Sequence, residues 1–173
     1  MSTRHPLDQT LPGREALVRR TLEYLAEHKC MSLATDGPEG LWAATVFYVN
    51  EAFELYFLSR CDTRHVRNIE ASPRVAATIS DDVAHWLGIR GIQLEGTAEV
   101  VGASRRGAAL AAFERRYAFA DSLWWTESPS AAGPQQLVFC VRPTRMLFLD
   151  HGFRDRRAEI PADYLRGRPA RAP

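Results

Sequence analysis

Ser59, Arg60, Thr63, Arg64, His65 and Arg67 place two hydroxyls, three guanidiniums and an imidazole within nine positions. They follow an alternating, aromatic-rich run, Phe53 to Leu58, that reads as a strand, and they open a segment from Thr63 to Ala71 whose pattern predicts a short helix. A helix N-terminus offers unpaired backbone N–H groups and a partial positive charge, so hydroxyls and Arg forks gathered there suit a phosphate. The same residues also suit a solvated, Arg-rich helix face, and the spacing alone leaves both readings open. One strand earlier, Leu41 to Val49 contains Ala43, Ala44 and Thr45. Side chains this small let a flat ring approach the backbone, whose N–H and C=O groups can then read the ring's edge. A tightly packed strand explains them equally well. Trp86, Trp124 and Trp125 are candidates to line such a pocket, or to serve as core or interface.

Other chemistries find little support. The histidines at 5, 28, 65, 85 and 151 show no HxxxH or HExxH spacing, so no metal site is expected. Cys30, Cys61 and Cys140 are odd in number and far apart, which points to free thiols in a reducing compartment. Cys30 and Cys140 lie in apolar runs that read as core, and Cys61 sits among arginines. GxSxG, GxGxxG and Walker loops are absent, which removes the hydrolase, Rossmann and P-loop readings. A net charge of +1 argues against a nucleic-acid partner. Lys29 is the only lysine among 22 basic residues, and arginine suits bidentate anion contacts. Met1 to Leu11 is polar, unlike a signal peptide, and no apolar run is long enough to span a membrane. A cytoplasmic location is the expectation.

The elements that must position these residues are mostly strands. Residues 1–12 read as a flexible lead-in. Arg14 to His28 predicts an amphipathic helix with Leu17, Thr21, Leu22 and Leu25 on its inner face. Cys30 to Thr35, Leu41 to Asn50 and Phe53 to Leu58 predict a meander, with a turn over Asp36 to Gly40. Strands over Arg74 to Ser80 and Ile89 to Val101 follow, then a helix from Ser104 to Tyr117 with Ser104 as N-cap. Ser128 to Pro134 reads as loop, and Gln136 to Pro143 and Arg145 to Asp150 as the last two strands. The 173 residues form one domain over residues 13–152, followed by a tail over 153–173, disordered at its Pro/Arg-rich end. Six or seven antiparallel strands with flanking helices predict a mainly β fold, a small closed barrel.

The order of features resembles the pyridoxamine 5′-phosphate oxidase-like, FMN-binding split β-barrel family, from about Arg14 to Asp150. The hairpin LWAATVFYVNEAFELYFLS, the turn DTRHVRNIEASPRVA and the strand RGIQLEGTAEVV carry the resemblance. It is nearest the uncharacterised YhbP-like subgroup, whose Gly-Phe after the last strand Gly152-Phe153 matches. The resemblance implies that Thr63 and Arg64 bind the FMN phosphate, with His65 where a lysine is usual, and that Ser59 adds a hydroxyl. It implies that Ala44, Thr45 and Val46 face the flavin ring through backbone groups. In these folds the flavin lies at a homodimer interface, so Trp86, Gly91 and Gln93 would come from the second subunit. Departures are visible: Ala43 stands where the true oxidases carry a phosphate-binding Arg, Gly91 replaces a flavin-contacting Gln, and Tyr48 replaces a Lys that holds pyridoxal phosphate. Vitamin B6 oxidation is therefore not expected. The resemblance implies an FMN flavoprotein acting as an oxidoreductase on an unidentified small molecule, with no assigned catalytic residue. Tyr48, His65 and Tyr117 are its only proton-donor candidates. Deazaflavin F420 in place of FMN, a haem-binding protein with His151 as axial ligand, and a non-catalytic dimeric binding module stay open.

Overall fold

The computed structural model describes residues 13–119, 136–151 and 154–166. Helix α1 (Arg14–Glu27) is followed by strands β1 (Cys30–Thr35), β2 (Trp42–Glu51) and β3 (Glu54–Arg60). After helix α2 (Arg64–Ala71) come β4 (Arg74–Ser80), a 3₁₀ turn at Trp86–Gly88, and β5 (Arg90–Val100). Helix α3 (Ala103–Arg116), β6 (Gln136–Asp150), β7 (Arg154–Glu159) and a short α4 (Ala162–Leu165) complete the described chain. The strands run in the order β3-β2-β1-β4-β5-β6-β7, all neighbours antiparallel, and β3 also pairs with β6. Six strands therefore close into a barrel and β7 hangs on its outer edge, as the mainly β, split-barrel reading expected.

Alternation along the strands explains the two cores. Met31, Leu33, Tyr48, Leu55, Phe57, Ile79, Ile92 and Phe139 point inward and pack with Leu17, Val18 and Leu25 of α1, which plugs one end. Tyr56, Val138 and Cys140 point outward from β3 and β6, where Phe113 and Tyr117 of α3 cover them in a second cluster. The Tyr48 hydroxyl donates to the Leu25 carbonyl at 2.8 Å, fixing α1 to the barrel. Helix α1 has no basic residue in its last turn, so Arg116 supplies the charge from α3, donating to the carbonyls of Ala26 (2.8 Å) and Leu25 (3.2 Å).

Several boundaries differ from expectation. The two predicted last strands are one continuous β6, because Pro143 sits at a bulge: Glu95 pairs with Arg145 while Gly96 pairs with Pro143, leaving Thr144 as the extra residue. A Cβ on Gly96 would lie 2.1 Å from the Arg142 carbonyl oxygen, so only glycine fits there. The N-cap of α3 is Gly102 rather than Ser104, and no side chain caps it. Helix α2 begins at Arg64, with Thr63 in extended geometry before it. Strand β7 follows the predicted last strand, pairing Leu147 with Glu159 and Phe148 with Ala158. Charge-rich RDRRAE shows no apolar alternation that would have revealed it. Of the two cysteines read as core, Cys140 is buried and Cys30 only partly so. Trp124, Trp125, Gly152, Phe153, the lead-in, the 128–134 loop and the tail end from 167 lie outside the described residues.

Candidate functional site

Strand β3 ends at Ser59-Arg60, and a tight turn, in which the Thr63 N–H donates to the Arg60 carbonyl at 3.2 Å, delivers the chain to α2. This folds Ser59 back onto the first turn of the helix. The Ser59 Oγ lies 2.7 Å from His65 Nε2 and 3.0 Å from Thr63 Oγ1, and Thr63 Oγ1 lies 3.2 Å from His65 Nε2. Both Ser59 and His65 are buried. Burial holds the His65 imidazole below its ordinary pKa, so the ring is neutral at pH 7 and contributes hydrogen bonds rather than charge. No side chain caps the N-terminus of α2 and no acid lies in its first turn. Its leading N–H groups therefore carry a partial positive charge that no side chain offsets.

The sequence grouped three guanidiniums here, and the structure engages each of them with the chain itself. Arg60 forks onto Asp62 at 3.1 and 2.7 Å. Arg67 reaches the Glu39 carboxylate at 2.8 Å and the Asp62 carbonyl at 2.7 Å. Arg64 lies over the Trp42 ring, 4.6 Å from its centroid, and donates to the Glu39 carbonyl. Its Nε is buried without a hydrogen-bond partner, 3.9 Å from the Glu39 carboxylate. Glu39, at the tip of the β1–β2 turn, is the organising residue that sequence reasoning missed. It lies 25 residues from Arg64, and nothing in local spacing links the two.

The ring-facing expectation rests on β2. Ala44 and Val46 turn toward the barrel and Thr45 faces out, so these three share no side-chain face; they share a backbone edge. Over residues 42–47 that strand pairs with β1, and β3 joins it only from Tyr48 onward. Among the described residues no strand occupies its other edge there. Trp86 is 63% exposed, and its ring meets His151 edge-on at 6.0 Å. Gln93 faces out on β5. The outward row Thr45–Ser32–Thr78–Gln93 sets Gln93 three strands, about 14 Å, from Thr45. One chain therefore gathers Ser59, Thr63, Arg64 and His65, with Ala44 to Val46 on the open edge, but leaves Trp86 and Gln93 apart.

Two of the three proton-donor candidates are committed elsewhere. Tyr48 gives its proton to Leu25, and Tyr117 donates to the carbonyls of Lys29 (2.9 Å) and Tyr48. Burial pushes both phenols above their ordinary pKa. Open clefts lie among the described residues. One of about 540 Å³ lies at the Asp36 end of β1, between β1, β4 and β5, and one of about 390 Å³ lies between α3 and the β2–β3 hairpin. None of the predicted FMN residues lines either cleft.

Known proteins of similar sequence and shape can be set beside this geometry. The UPF0306 protein of Photorhabdus laumondii is 36% identical over 75 residues, 42% of this chain and 52% of that protein. This chain thus spans about half the length of the curated relative it matches. Among solved structures, a heme binding protein from Mycobacterium smegmatis superposes with a TM-score of 0.68 at 21% identity, covering 90% of this chain and 61% of that one. The heme storage protein HutZ from Vibrio cholerae gives 0.61 at 19% identity over 72% of this chain and 88% of its own. ChuZ from Campylobacter jejuni gives 0.71 at 13%, covering 93% and 68%. At such identities these structures establish the barrel and nothing finer. The sequence itself matches the pyridoxamine 5′-phosphate oxidase family over residues 17–150, and the chain belongs to that family.

Proposed function

We propose that this chain is a cytoplasmic FMN-binding flavoprotein that works as a homodimer and acts as an oxidoreductase on a small molecule. The junction of β3 and α2 carries the reading: an uncapped helix N-terminus stands beside two hydroxyls, and the first residue of that helix, Arg64, keeps a buried Nε without a hydrogen-bond partner. A phosphate would give an acceptor to the leading N–H groups of α2 and to the Arg64 Nε. Ser59, Thr63, Arg64 and His65 would hold that phosphate, and the open edge of β2 at Ala44, Thr45 and Val46 would meet the flavin through backbone groups. The bound flavin would supply the redox chemistry, and the protein would anchor it and exclude water. Trp86 and Gln93 would serve the site of a second copy, because within one chain they lie away from it. Tyr48 turns inward onto Leu25, out of reach of any substrate, which supports a reaction other than vitamin B6 oxidation. Three free cysteines are in keeping with a reducing compartment.

The test separates phosphate from ring. The purified protein is expected to show the paired near-UV and blue bands of a flavin, with FMN released on denaturation; F420 released instead would change the cofactor but keep the class. Arg64→Ala should weaken FMN about tenfold or more while leaving riboflavin, which lacks the phosphate, unaffected. Unchanged FMN affinity would remove Arg64 from the site. A colourless protein that takes up no FMN would favour a non-catalytic binding module.

Haem is the second reading. Two of the proteins of similar shape are named for heme binding and heme storage, and His151 stands half-buried at the end of β6 beside Trp86. A Soret band that His151→Ala abolishes would establish it over FMN.

A further inference from the structure

We infer that the 540 Å³ cleft beside β1, β4 and β5 is the substrate subsite, and that it takes a small zwitterion bearing an ammonium and a carboxylate or other anionic group. The role as substrate subsite rests on the flavin reading; the ligand chemistry rests on the cleft alone. Three charged side chains line it: Arg74 on β4, Glu95 on β5 and Asp36 in the β1–β2 turn. None makes a hydrogen bond or ion pair through its side chain among the described residues. That contrasts with the guanidiniums around α2, each of which is engaged within the chain. The cross-strand neighbour of Glu95, Arg145, bonds Glu159 at 3.1 Å and feels the Glu95 charge without a hydrogen bond to it, so the Glu95 carboxylate keeps its acceptors for the cleft.

The floor is specifically built. The Gly96 bulge inserts Thr144 as the extra residue of β6, and Thr144 lines the cleft with its hydroxyl donating to the Glu95 carbonyl at 3.2 Å. A bulge of this kind re-aims a side chain out of the regular pleat. The glycine it needs cannot be replaced without striking Arg142. Arg74 pairs with Thr97, two residues from Glu95 on the same face, so the backbones that carry the cation and the anion stand at the diagonal spacing of about 7–8 Å. One guanidinium opposite two carboxylates suits a ligand with its own charges at opposite ends. The cleft also adjoins the flavin strand: Ala34, on its wall, pairs directly with Ala43 beside Ala44.

γ-Aminobutyrate, butyrate and butylamine form a matched probe set, alike in length and differing in charge. Titrated into the ¹⁵N-labelled full chain, first as purified and then saturated with FMN, γ-aminobutyrate should shift the amides of residues 34–36, 72, 74–76 and 95–97. It should bind about tenfold more tightly than either single-charge probe, and Arg74→Gln or Glu95→Gln should each remove about that factor. Equal binding of all three probes, or shifts elsewhere, would overturn the proposal. So would a loss of dimer, rather than of probe binding, in the two variants, since the charges would then be interface partners. Probe binding by a chain that refuses FMN would support the ligand chemistry and overturn the flavin reading. FMN binding without probe binding would overturn the cleft alone.

Discussion

A histidine buried among hydroxyls and near an aromatic ring takes up a proton less readily than one in water, and His65 is so placed, 6.2 Å from the Phe57 ring. The unfolded chain binds its proton as pH falls through about 6.5, whereas the folded chain binds it only at lower pH. Acid therefore favours the unfolded state, and stability drops below that point. His65→Gln, which keeps a polar group near Ser59 without the titration, should flatten the fall in melting temperature between about pH 7.5 and 5.5. An equally steep fall in the variant would show that another group carries it. The sequence revealed the members of this cluster, because Ser59, Thr63 and His65 lie within seven residues. It did not reveal that the neighbouring arginines are held by Glu39 and Asp62, since the turn that brings Glu39 to α2 is a tertiary arrangement.

At the scale of elements, glycine separates what is strained from what is free. Gly96→Ala drives a Cβ into the Arg142 carbonyl and should cost about 3 kcal/mol or more by chemical denaturation. Gly107 sits on the exposed face of α3, where an added methyl would meet nothing within 4 Å, so Gly107→Ala should stabilise by about 0.5–1 kcal/mol. If both changes were neutral, the bulge would be plastic and the cleft floor with it. Strands β1 and β4 were legible to the residue because their apolar positions alternate cleanly against small or polar ones. β6 was not, since Pro143 reads as a strand end wherever a bulge is invisible. β7 was not either, because its charge-rich sequence carries no apolar alternation and it forms the edge of the sheet.

For the whole molecule, the outward face of β2, β1 and β4 beyond the cleft carries small side chains at Thr45, Ser32 and Thr78. Leu41, Trp42, Phe47, Trp86 and Leu87 are exposed apolar residues of the same molecule. Such a surface suits a second copy, and it is where the proposed dimer would form. Thr78→Arg, at the middle of the row, should raise the dimer dissociation constant about a hundredfold in sedimentation equilibrium and release FMN with it. Loss of dimer with flavin retained would place the cofactor within one chain. The closing of the barrel carries a different consequence, one of timing. The second edge of β3 meets a partner only in β6, where Leu55 faces Val141, and the second edge of β5 likewise waits for β6. A chain emerging from the ribosome therefore carries two unpaired strand edges, β3 and β5, until the last long strand is made. The slowest contact in sequence is the one that makes the barrel a barrel, so folding should be late and cooperative, and the interval before it is when the protein is most exposed to aggregation.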